Sequence, residues 1–408
     1  MAADLHMTFR AADSSRREYS ATKFANGALN ATARFWFLMT ILGQLLFAFT
    51  VASYYGLTAA RGDLQAWNRR MMHGWVAGDT VGNFVVAIHL VSAVIIILAG
   101  ALQFVPQIRA RFPGFHRWNG RLYLLTAFAV STAGLYMQWI RGSFGDLSLS
   151  IGSTLNAVLI WLCAAMAVRY AIARDFKTHR RWTLRLFLVV SAAWFFRAGF
   201  FLSIVIFRGP FGFDPNTFSG PFLTFMAFAQ YLFPLAVLEL YFRAQDRPGA
   251  LRRIAMAASL LVLTVVMSAG VFAAAAIVWV PNLKAAYDNR ISISQTLSAT
   301  IASDGIDTAV RHYRDLKAAK AATYNFDENQ LNTLGYQFLR AKKLDVAIRI
   351  FQLNVEAYPR SSNAWDSLGE AHMGAGNKTL AIANYRKSLA LNPSNQNAAA
   401  ALQKLGAR

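Results

Sequence analysis

Seven long apolar stretches, separated by short polar loops, constrain the fold of this chain more than any other feature. A helix needs about 20 predominantly apolar residues to cross the hydrocarbon core of a bilayer. The stretches lie at about 34–56, 81–106, 120–140, 152–173, 183–207, 221–242 and 255–280. Because a helix satisfies its own backbone hydrogen bonds in lipid, the pattern predicts an all-α bundle of about seven membrane-spanning helices.

The composition changes near residue 280 and divides the chain. The first 280 residues hold 25 Lys and Arg and 10 Asp and Glu, nearly all of them between apolar stretches. The last 128 residues hold 16 and 10, which is the balance of a soluble domain. We therefore expect a polar N-terminal segment at 1–33, a transmembrane bundle at 34–280 and a second domain at 281–408. The single cysteine, Cys163, excludes an intramolecular disulfide.

Lysine and arginine residues are distributed unequally between alternate loops. The N-terminal segment and every second loop carry 19 of them, whereas the remaining loops carry five. These five are Arg61, Arg69, Arg70, Arg141 and Arg208. Basic loops remain in the cytoplasm, so we expect a cytoplasmic N-terminus in the bacterial plasma membrane. Seven spans place 281–408 outside the cytoplasm, and one span more or fewer reverses this. Because the net charge of +21 lies mainly in these loops, it does not indicate nucleic-acid binding.

Two stretches of the C-terminal domain match each other at a spacing of 34 residues. The paired positions are Leu331 and Trp365, Leu334 and Leu368, Gly335 and Gly369, Ala347 and Ala381, Phe351 and Tyr385, and Pro359 and Pro393. This period is typical of the tetratricopeptide repeat, a pair of helices that stacks on its neighbours. We predict clear repeats at 328–361 and 362–395, a degenerate repeat at about 291–325 and a capping helix at 396–408.

Tetratricopeptide repeats usually bind segments of other proteins on a concave face. The polar candidates for such contacts on the second clear repeat are Asn363, Asn377, Asn384 and Lys387. A solvated face with no partner is the alternative for each of them. The chain has no phosphate-binding loop, nucleophile–base set or metal-site spacing above chance. The first functional hypothesis is therefore a membrane protein that presents the repeats to an extracytoplasmic protein or peptide.

Two histidines occupy similar sequences at the start of predicted spans. His116 begins HRWNGR before the third span, and His179 begins HRRWTLR before the fifth. Both follow a basic loop and both helices run outward, so we expect the two imidazoles at the same depth. Such a pair can ligate one haem iron axially in the core of a helix bundle. The alternative is an interfacial anchor, with tryptophan at the headgroups and arginine on lipid phosphates.

His89 and Arg197 are the ionisable residues deepest in the predicted spans. Counted at 1.5 Å per residue from the cytoplasmic ends, they lie about 26 Å and about 20 Å into the membrane. No acidic residue lies in the spans at that depth. Arg197 then needs backbone carbonyls, a haem propionate or another anionic ligand, unless its side chain reaches the outer surface. Lipid or quinone binding at Arg197 is a third hypothesis, which is compatible with presentation of the repeats and with a haem-binding function.

Four stretches resemble a bacterial family of predicted membrane proteins without an assigned function. They are AIHL at 87–90, GALQFVP at 100–106, HRWNGRLY at 116–123 and HRRW at 179–182. The resemblance covers about residues 80–240. It implies a multi-pass protein in contact with membrane lipid, and no particular activity.

A weaker similarity connects the chain to transmembrane b-type cytochromes that oxidise ascorbate. These carry one histidine on a span and His-Ser-Trp-Leu-Gly at the start of the next. His89 followed by HRWNG has this layout, although Arg and Asn stand in place of Ser and Leu. The similarity implies haem b as a cofactor and electron transfer as the second functional hypothesis. The candidate ligands would be His89, His116 and His179, with Arg197 as a residue that contacts an anionic group.

Overall fold

The computed structural model describes residues 2–69, 71, 73–76, 78–142, 145–215, 217–288 and 290–407, with side chains from residue 20 onward except at 65, 69 and 285. Arg70, which was counted with the less basic loops, lies outside this described part. The chain divides into two compact units between Tyr287 and Asp288, a few residues after the predicted boundary. Both units are helical, so the predicted all-α class is confirmed.

The first unit consists of helices joined by short loops. They are α1 (Ala2–Ala60), α2 (Thr80–Gln103), α3 (Pro106–Arg111), α4 (Pro113–Trp139), α5 (Leu147–Ile172), α6 (Phe176–Val190), α7 (Ala192–Phe207), α8 (Pro221–Asp246), α9 (Ala250–Ala274) and α10 (Val280–Tyr287). A 3-10 helix at Leu64–Arg69 follows α1, and a π-helical turn at Ala275–Trp279 connects α9 with α10. Asp79, Asp146 and Asp175 accept hydrogen bonds from the free N–H groups that begin α2, α5 and α6.

Five helical segments of the described chain are long and apolar enough to span a membrane. They are Ser20–Ala60, Thr80–Gln103, Leu147–Ile172, Pro221–Asp246 and Ala250–Lys284. Helices α6 and α7 make a sixth when counted together, with a bend of 49° between them. Helix α4 has 27 residues but is too polar to meet the same criterion. The count by length and composition is thus five, or six with the bent pair, against the seven predicted, and α4 is the remaining predicted span.

The bend between α6 and α7 has a local cause at Ser191. Its hydroxyl donates to the carbonyl of Phe187 at 2.7 Å and accepts a hydrogen bond from the amide of Gln44 on α1 at 2.8 Å. Serine hydroxyls that bond back to the carbonyl four residues earlier often bend helices. The buried hydrogen bond between Gln44 and Ser191 therefore joins α1 to the α6–α7 pair at the bend.

Small residues allow two pairs of helices in the bundle to approach closely. A Cβ atom added at Gly152 on α5 would lie 2.8 Å from the carbonyl oxygen of Ala227 on α8. One added at Gly270 on α9 would lie 2.3 Å from the carbonyl oxygen of Ala198 on α7. Both distances are shorter than a carbon–oxygen contact permits, so these positions require glycine. Close backbone packing of this kind replaces the hydrophobic effect between helices in lipid.

The second unit begins with a small parallel sheet and a folded helix. Strand β1 (Ile291–Ser292) pairs with β2 (Tyr324–Asn325), with Ile291 opposite Tyr324. Helix α11 (Ile293–Ala319) turns back at Gly305, where φ is 80°. Thr300 Oγ1 and His312 Nδ1 on its two halves are therefore 3.2 Å apart, whereas a straight helix would separate their positions by about 18 Å. This hairpin occupies the region of the predicted degenerate repeat.

Two further helical hairpins follow the first one. The helices are α12 (Glu328–Arg340), α13 (Leu344–Ala357), α14 (Ser362–Gly374), α15 (Lys378–Leu391) and α16 (Gln396–Lys404). Gly335 on α12 lies under the ring of Phe351 on α13, and Gly369 on α14 lies under the ring of Tyr385 on α15. Helix α16 packs its apolar face on α15. The 34-residue period of the sequence thus coincides with the period of the helix pairs.

Candidate functional site

A cavity of about 1990 Å³ opens between the helices of the first unit. On α8 its lining residues recur at helical spacing from Phe225 to Asp246 and so form one continuous face. This face covers 21 residue steps, or about 31 Å of helix at 1.5 Å per residue. Most of the face is apolar, and Leu260, Leu263 and Val266 of α9 contribute further apolar lining. Sites for small molecules have volumes of about 300–1,000 Å³, so this cavity is larger than a small ligand requires.

One end of the cavity is strongly basic, and we refer to it as the basic end. Its cationic lining residues are Arg34, Arg109, Arg117, Arg121, Arg174, Lys177, Arg180 and Arg181. Among the described residues that line the cavity, Asp246 is the one acid, and it pairs with Arg181 at 2.5 Å. These cations come from α1 and from the loops that the sequence analysis assigned to a single side of the membrane.

His116 and His179 both line the cavity near its basic end. They are close enough for their charges to interact. The Nδ1 atom of His179 lies 2.8 Å from the carbonyl oxygen of Ala167. Because a carbonyl only accepts, this Nδ1 must carry a proton and donate, which leaves Nε2 with an unprotonated lone pair when the ring is neutral. This arrangement is the one that orients metal-binding histidines.

His116 belongs to a polar network between α2 and α4. Its Nε2 lies 3.4 Å from the amide nitrogen of Gln103, and its buried Nδ1 has no hydrogen-bond partner in the part of the chain that the structure describes. The amide nitrogen of Asn119 donates to Gln103 Oε1 and to the carbonyl of Ala99, both at 2.8 Å. Gly120 has no side chain to obstruct the Gln103 amide, which would lie 3.0 Å from an added Cβ. Several residues of the HRWNGR motif therefore fasten one helix to the next.

The same motif also supports the alternative of an interfacial anchor. The Trp118 side chain is 70% exposed on the surface of α4. The guanidinium of Arg121 stacks over its ring at 4.9 Å. Tryptophan with a neighbouring cation is the usual composition of a helix end at the headgroup level.

His89 and Arg197 each have their own polar contacts, and neither of them lines the cavity. His89 Nδ1 lies 3.1 Å from the carbonyl of Val130 and so connects α2 with α4. Arg197 donates to the carbonyl of Ala193 at 2.7 Å and stacks over Phe47 at 5.0 Å. The two residues are close enough for their charges to interact. In the described part of the chain no carboxylate pairs with Arg197.

Polar contacts at the opposite ends of α2 and α4 escaped the sequence analysis. Arg141, which follows α4, donates to Asn83 on α2 at 2.6 Å and lies 3.5 Å from Asp79. The Arg141 side chain is only 5% exposed. The sequence offered a weak signal, because Asp79 and Asn83 at the start of α2 are distant along the chain from Arg141 and share no recognisable spacing with it.

The polar candidates on the second repeat differ in their accessibility. Asn363 donates to Glu328 at 3.0 Å, and the Asn377 amide lies 3.4 Å from His372 Nδ1. Asn384 is 8% exposed and donates to its own helix at Leu380, which leaves little surface for a partner. Lys387 is exposed.

The first helices of the two clear repeats share a polar surface that the sequence analysis did not identify. Tyr336 on α12 donates to Glu370 on α14 at 2.7 Å, with Ser367 at 3.2 Å. Asn332, one turn earlier on α12, has a side-chain oxygen without a hydrogen-bond partner in the described residues. Burial raises the pKa of Asp366 on α14; the amide of Asn395 opposes this shift and Glu370 adds to it. We call Asn332, Tyr336, Asp366 and Glu370 the repeat groove.

Comparison with known proteins gives a family match for part of the chain. Residues 86–233 match the profile of a family described as Predicted membrane protein (DUF2306). The matched range contains His89, His116, His179 and Arg197 and ends before the second unit. No curated protein matches the chain. The match and the apolar helices together support a multi-pass membrane protein, as the resemblance implied.

Proposed function

We propose, from the premise of a multi-pass membrane protein, that the bundle anchors a tetratricopeptide domain and presents it to a partner protein or peptide. The observation that supports this most is the agreement between sequence period and helix pairs in the second unit. Each clear repeat places a glycine of its first helix under an aromatic ring of its second. Stacked pairs of this kind form extended binding surfaces rather than catalytic sites.

The proposed partner is a cationic peptide segment, bound at the repeat groove. Asp366 and Glu370 supply the negative charge, and Asn332, one turn from Tyr336, is partly exposed on α12. Oppositely charged surfaces speed encounter and select among partners. Asn363, Asn377, Asn384 and Lys387 remain candidates on the same repeat, of which Asn384 contributes least because it is buried.

Partner capture by the full-length chain tests this proposal. A photoreactive crosslinker placed at Asn332 should trap a partner in intact membranes, and Glu370→Gln should weaken that yield. Lys404→Gln, an exposed change on α16, is the matched control and should leave the yield unchanged. Equal trapping by the Glu370→Gln variant would exclude the repeat groove. Partners that remain bound to residues 1–287 alone would exclude the presenting function itself.

We also propose that α4 crosses the membrane beside α2, which makes seven spans. The contacts at both ends support this: Gln103 with Asn119 at one end, and Asn83 with Arg141 at the other. A helix fastened at both ends to a spanning helix must cross the same thickness, although its own composition is more polar. Seven spans place the repeat domain on the side opposite the cytoplasmic N-terminus.

Cysteine labelling decides the orientation, because the one native cysteine, Cys163, is buried and replaceable. In a Cys163→Ala background, a membrane-impermeant maleimide added to intact cells should label Lys404→Cys and Arg208→Cys. It should not label Ala173→Cys, in the basic loop between α5 and α6, until the membrane is permeabilised. Labelling of Ala173→Cys together with protection of Lys404→Cys would contradict the proposed topology.

A second candidate function, haem-based electron transfer, is favoured by the position of His116 and His179 on one cavity. The residues fit a haem b in part. The Nε2 of His179 is unprotonated in the neutral ring, because Nδ1 donates to the carbonyl of Ala167. His116 would have to exchange its contact with Gln103 before its own Nε2 could bind an iron. A bound haem would supply one-electron chemistry.

A visible spectrum of the purified chain tests this second function. A band that sharpens on reduction with dithionite, and that disappears in His179→Ala but not in His312→Ala, supports it. His312 is a suitable control because it lies in the second unit. A colourless protein from cells with ample haem refutes it.

A further inference from the structure

The cavity in the first unit combines an apolar wall of unusual length with charge at one end. Its face on α8 extends for about 31 Å, while the whole hydrocarbon core of a bilayer is about 30 Å thick. An acyl chain can lie along such a wall, because α8 is a continuous helix and most of its lining side chains are apolar. A compact planar ligand would occupy only the part near the histidines.

The charge of the cavity is concentrated where α8 ends at Asp246. In the described part of the chain, Arg117, Arg174, Lys177 and Arg180 have no carboxylate partner within ion-pair distance, and all four are exposed at the basic end. The one acid of the lining, Asp246, is already paired with Arg181. The basic end therefore has an excess of positive charge that an anionic group would neutralise.

We propose that this cavity binds one anionic phospholipid, with its phosphate headgroup at the basic end and an acyl chain along α8. A cavity with positive charge at one end of a long apolar wall matches an anionic lipid. A neutral lipid would contact the apolar wall without neutralising the basic end, and a soluble anion would bind the basic end without contacting the wall. The inference does not depend on what the repeat domain binds. It assigns the large cavity to a membrane component rather than to a substrate from solution.

Native mass spectrometry of the full-length chain in detergent, titrated with phosphatidylglycerol or phosphatidylcholine, tests this inference. We expect preferential retention of phosphatidylglycerol. Each cation near an anionic headgroup contributes about fivefold in affinity, so Arg117→Gln with Lys177→Gln should weaken phosphatidylglycerol binding about 25-fold. Arg111→Gln with Arg252→Gln removes two exposed cations that do not line the cavity and should leave binding unchanged.

A second variant tests the apolar wall independently of charge. Ala229 on α8 lines the cavity and is partly buried. Ala229→Phe should weaken binding of long-chain phosphatidylglycerol while leaving glycerol phosphate binding unchanged. If both changes are without effect on lipid binding, the cavity does not hold the lipid.

Three other outcomes would overturn the proposal. Equal affinity for phosphatidylcholine would mean that the basic end does not select an anion. Displacement of the lipid by inorganic phosphate at comparable concentration would assign the basic end to a soluble anion. A purified protein that carries haem in this cavity, with no retained phospholipid, would assign it to the cofactor instead.

Discussion

Replacing Gly335 by alanine would test whether the aromatic rings of the repeats are fixed against their glycines. An added Cβ would lie 2.5–2.8 Å from three ring atoms of Phe351, which is 0% exposed and has no room to withdraw. Overpacking of this kind costs about 1–3 kcal/mol. Alanine is favoured over glycine inside a helix by about 1 kcal/mol, which offsets part of this cost. We therefore expect a net loss of up to about 2 kcal/mol in the free energy of local unfolding.

Two other glycines provide matched comparisons in the neighbouring repeat. At Gly369 the nearest ring atoms of Tyr385 are 3.0–3.1 Å from an added Cβ, so Gly369→Ala should lie within about 0.5 kcal/mol of neutral. At Gly374 the nearest atoms are at 3.8 Å and 3.9 Å, which is ordinary contact. Gly374→Ala should therefore stabilise α14 slightly, by about 0.5 kcal/mol.

Hydrogen exchange followed by mass spectrometry measures these changes in the full-length chain, because it reports local opening of α12 to α15 separately from the bundle. The expected order of protection is Gly374→Ala above Gly369→Ala above Gly335→Ala. Phe351→Leu combined with Gly335→Ala should recover part of the loss, because the smaller side chain removes the clash. A stabilising Gly335→Ala, or a double variant with strictly additive losses, would refute the packing argument.

Three further predictions concern other parts of the chain. Burial raises the pKa of Asp366, so this residue stabilises the fold most below the pKa that its carboxyl has in the unfolded chain. That stabilisation is lost as the pH rises through the pKa of the folded state. Asp366→Asn should remove the pH dependence, measured as exchange protection of α14 at acidic and neutral pH. Asn119→Ala removes two hydrogen bonds between α2 and α4 and should cost about 1 kcal/mol, measured by thermal unfolding in detergent, whereas an unchanged midpoint would mean that water or lipid replaces them. Gly270→Ala should cost about 1–3 kcal/mol in stability and so lower the same midpoint. Gly27→Ala, whose added Cβ meets nothing within 4 Å, should leave the midpoint unchanged. Equal effects of the two changes would contradict close packing of α7 against α9.

The architecture was largely predictable, because it depends on local properties of the chain. Apolar length predicts a helix in lipid wherever it occurs, and the predicted stretches at 81–106, 152–173 and 221–242 overlap α2, α5 and α8. The 34-residue period was equally informative, since each repeat is built from its own helices. The count of spans was less certain, because α4 is stabilised by its neighbour α2 rather than by its own hydropathy.

The candidate site was predictable only in part. Similar motifs led to the expectation that His116 and His179 lie at one depth, and both line the same cavity. Their hydrogen-bond partners could not be foreseen: the carbonyl of Ala167 for His179 and the amide of Gln103 for His116. Asn384 was proposed as a surface residue, yet it is buried, because its exposure depends on how α15 is rotated against α14.

The sequence by itself determined which segments are helical, where the composition changes and which loops are basic, because hydropathy, period and charge are properties of consecutive residues. Tertiary structure decided which of these residues meet. The cavity joins α1, α6 and α8, and the glycines at 152 and 270 matter only because a neighbouring backbone passes within 3 Å of their missing side chains. Contacts between residues distant in sequence depend on helix rotation and depth, and a linear pattern contains neither.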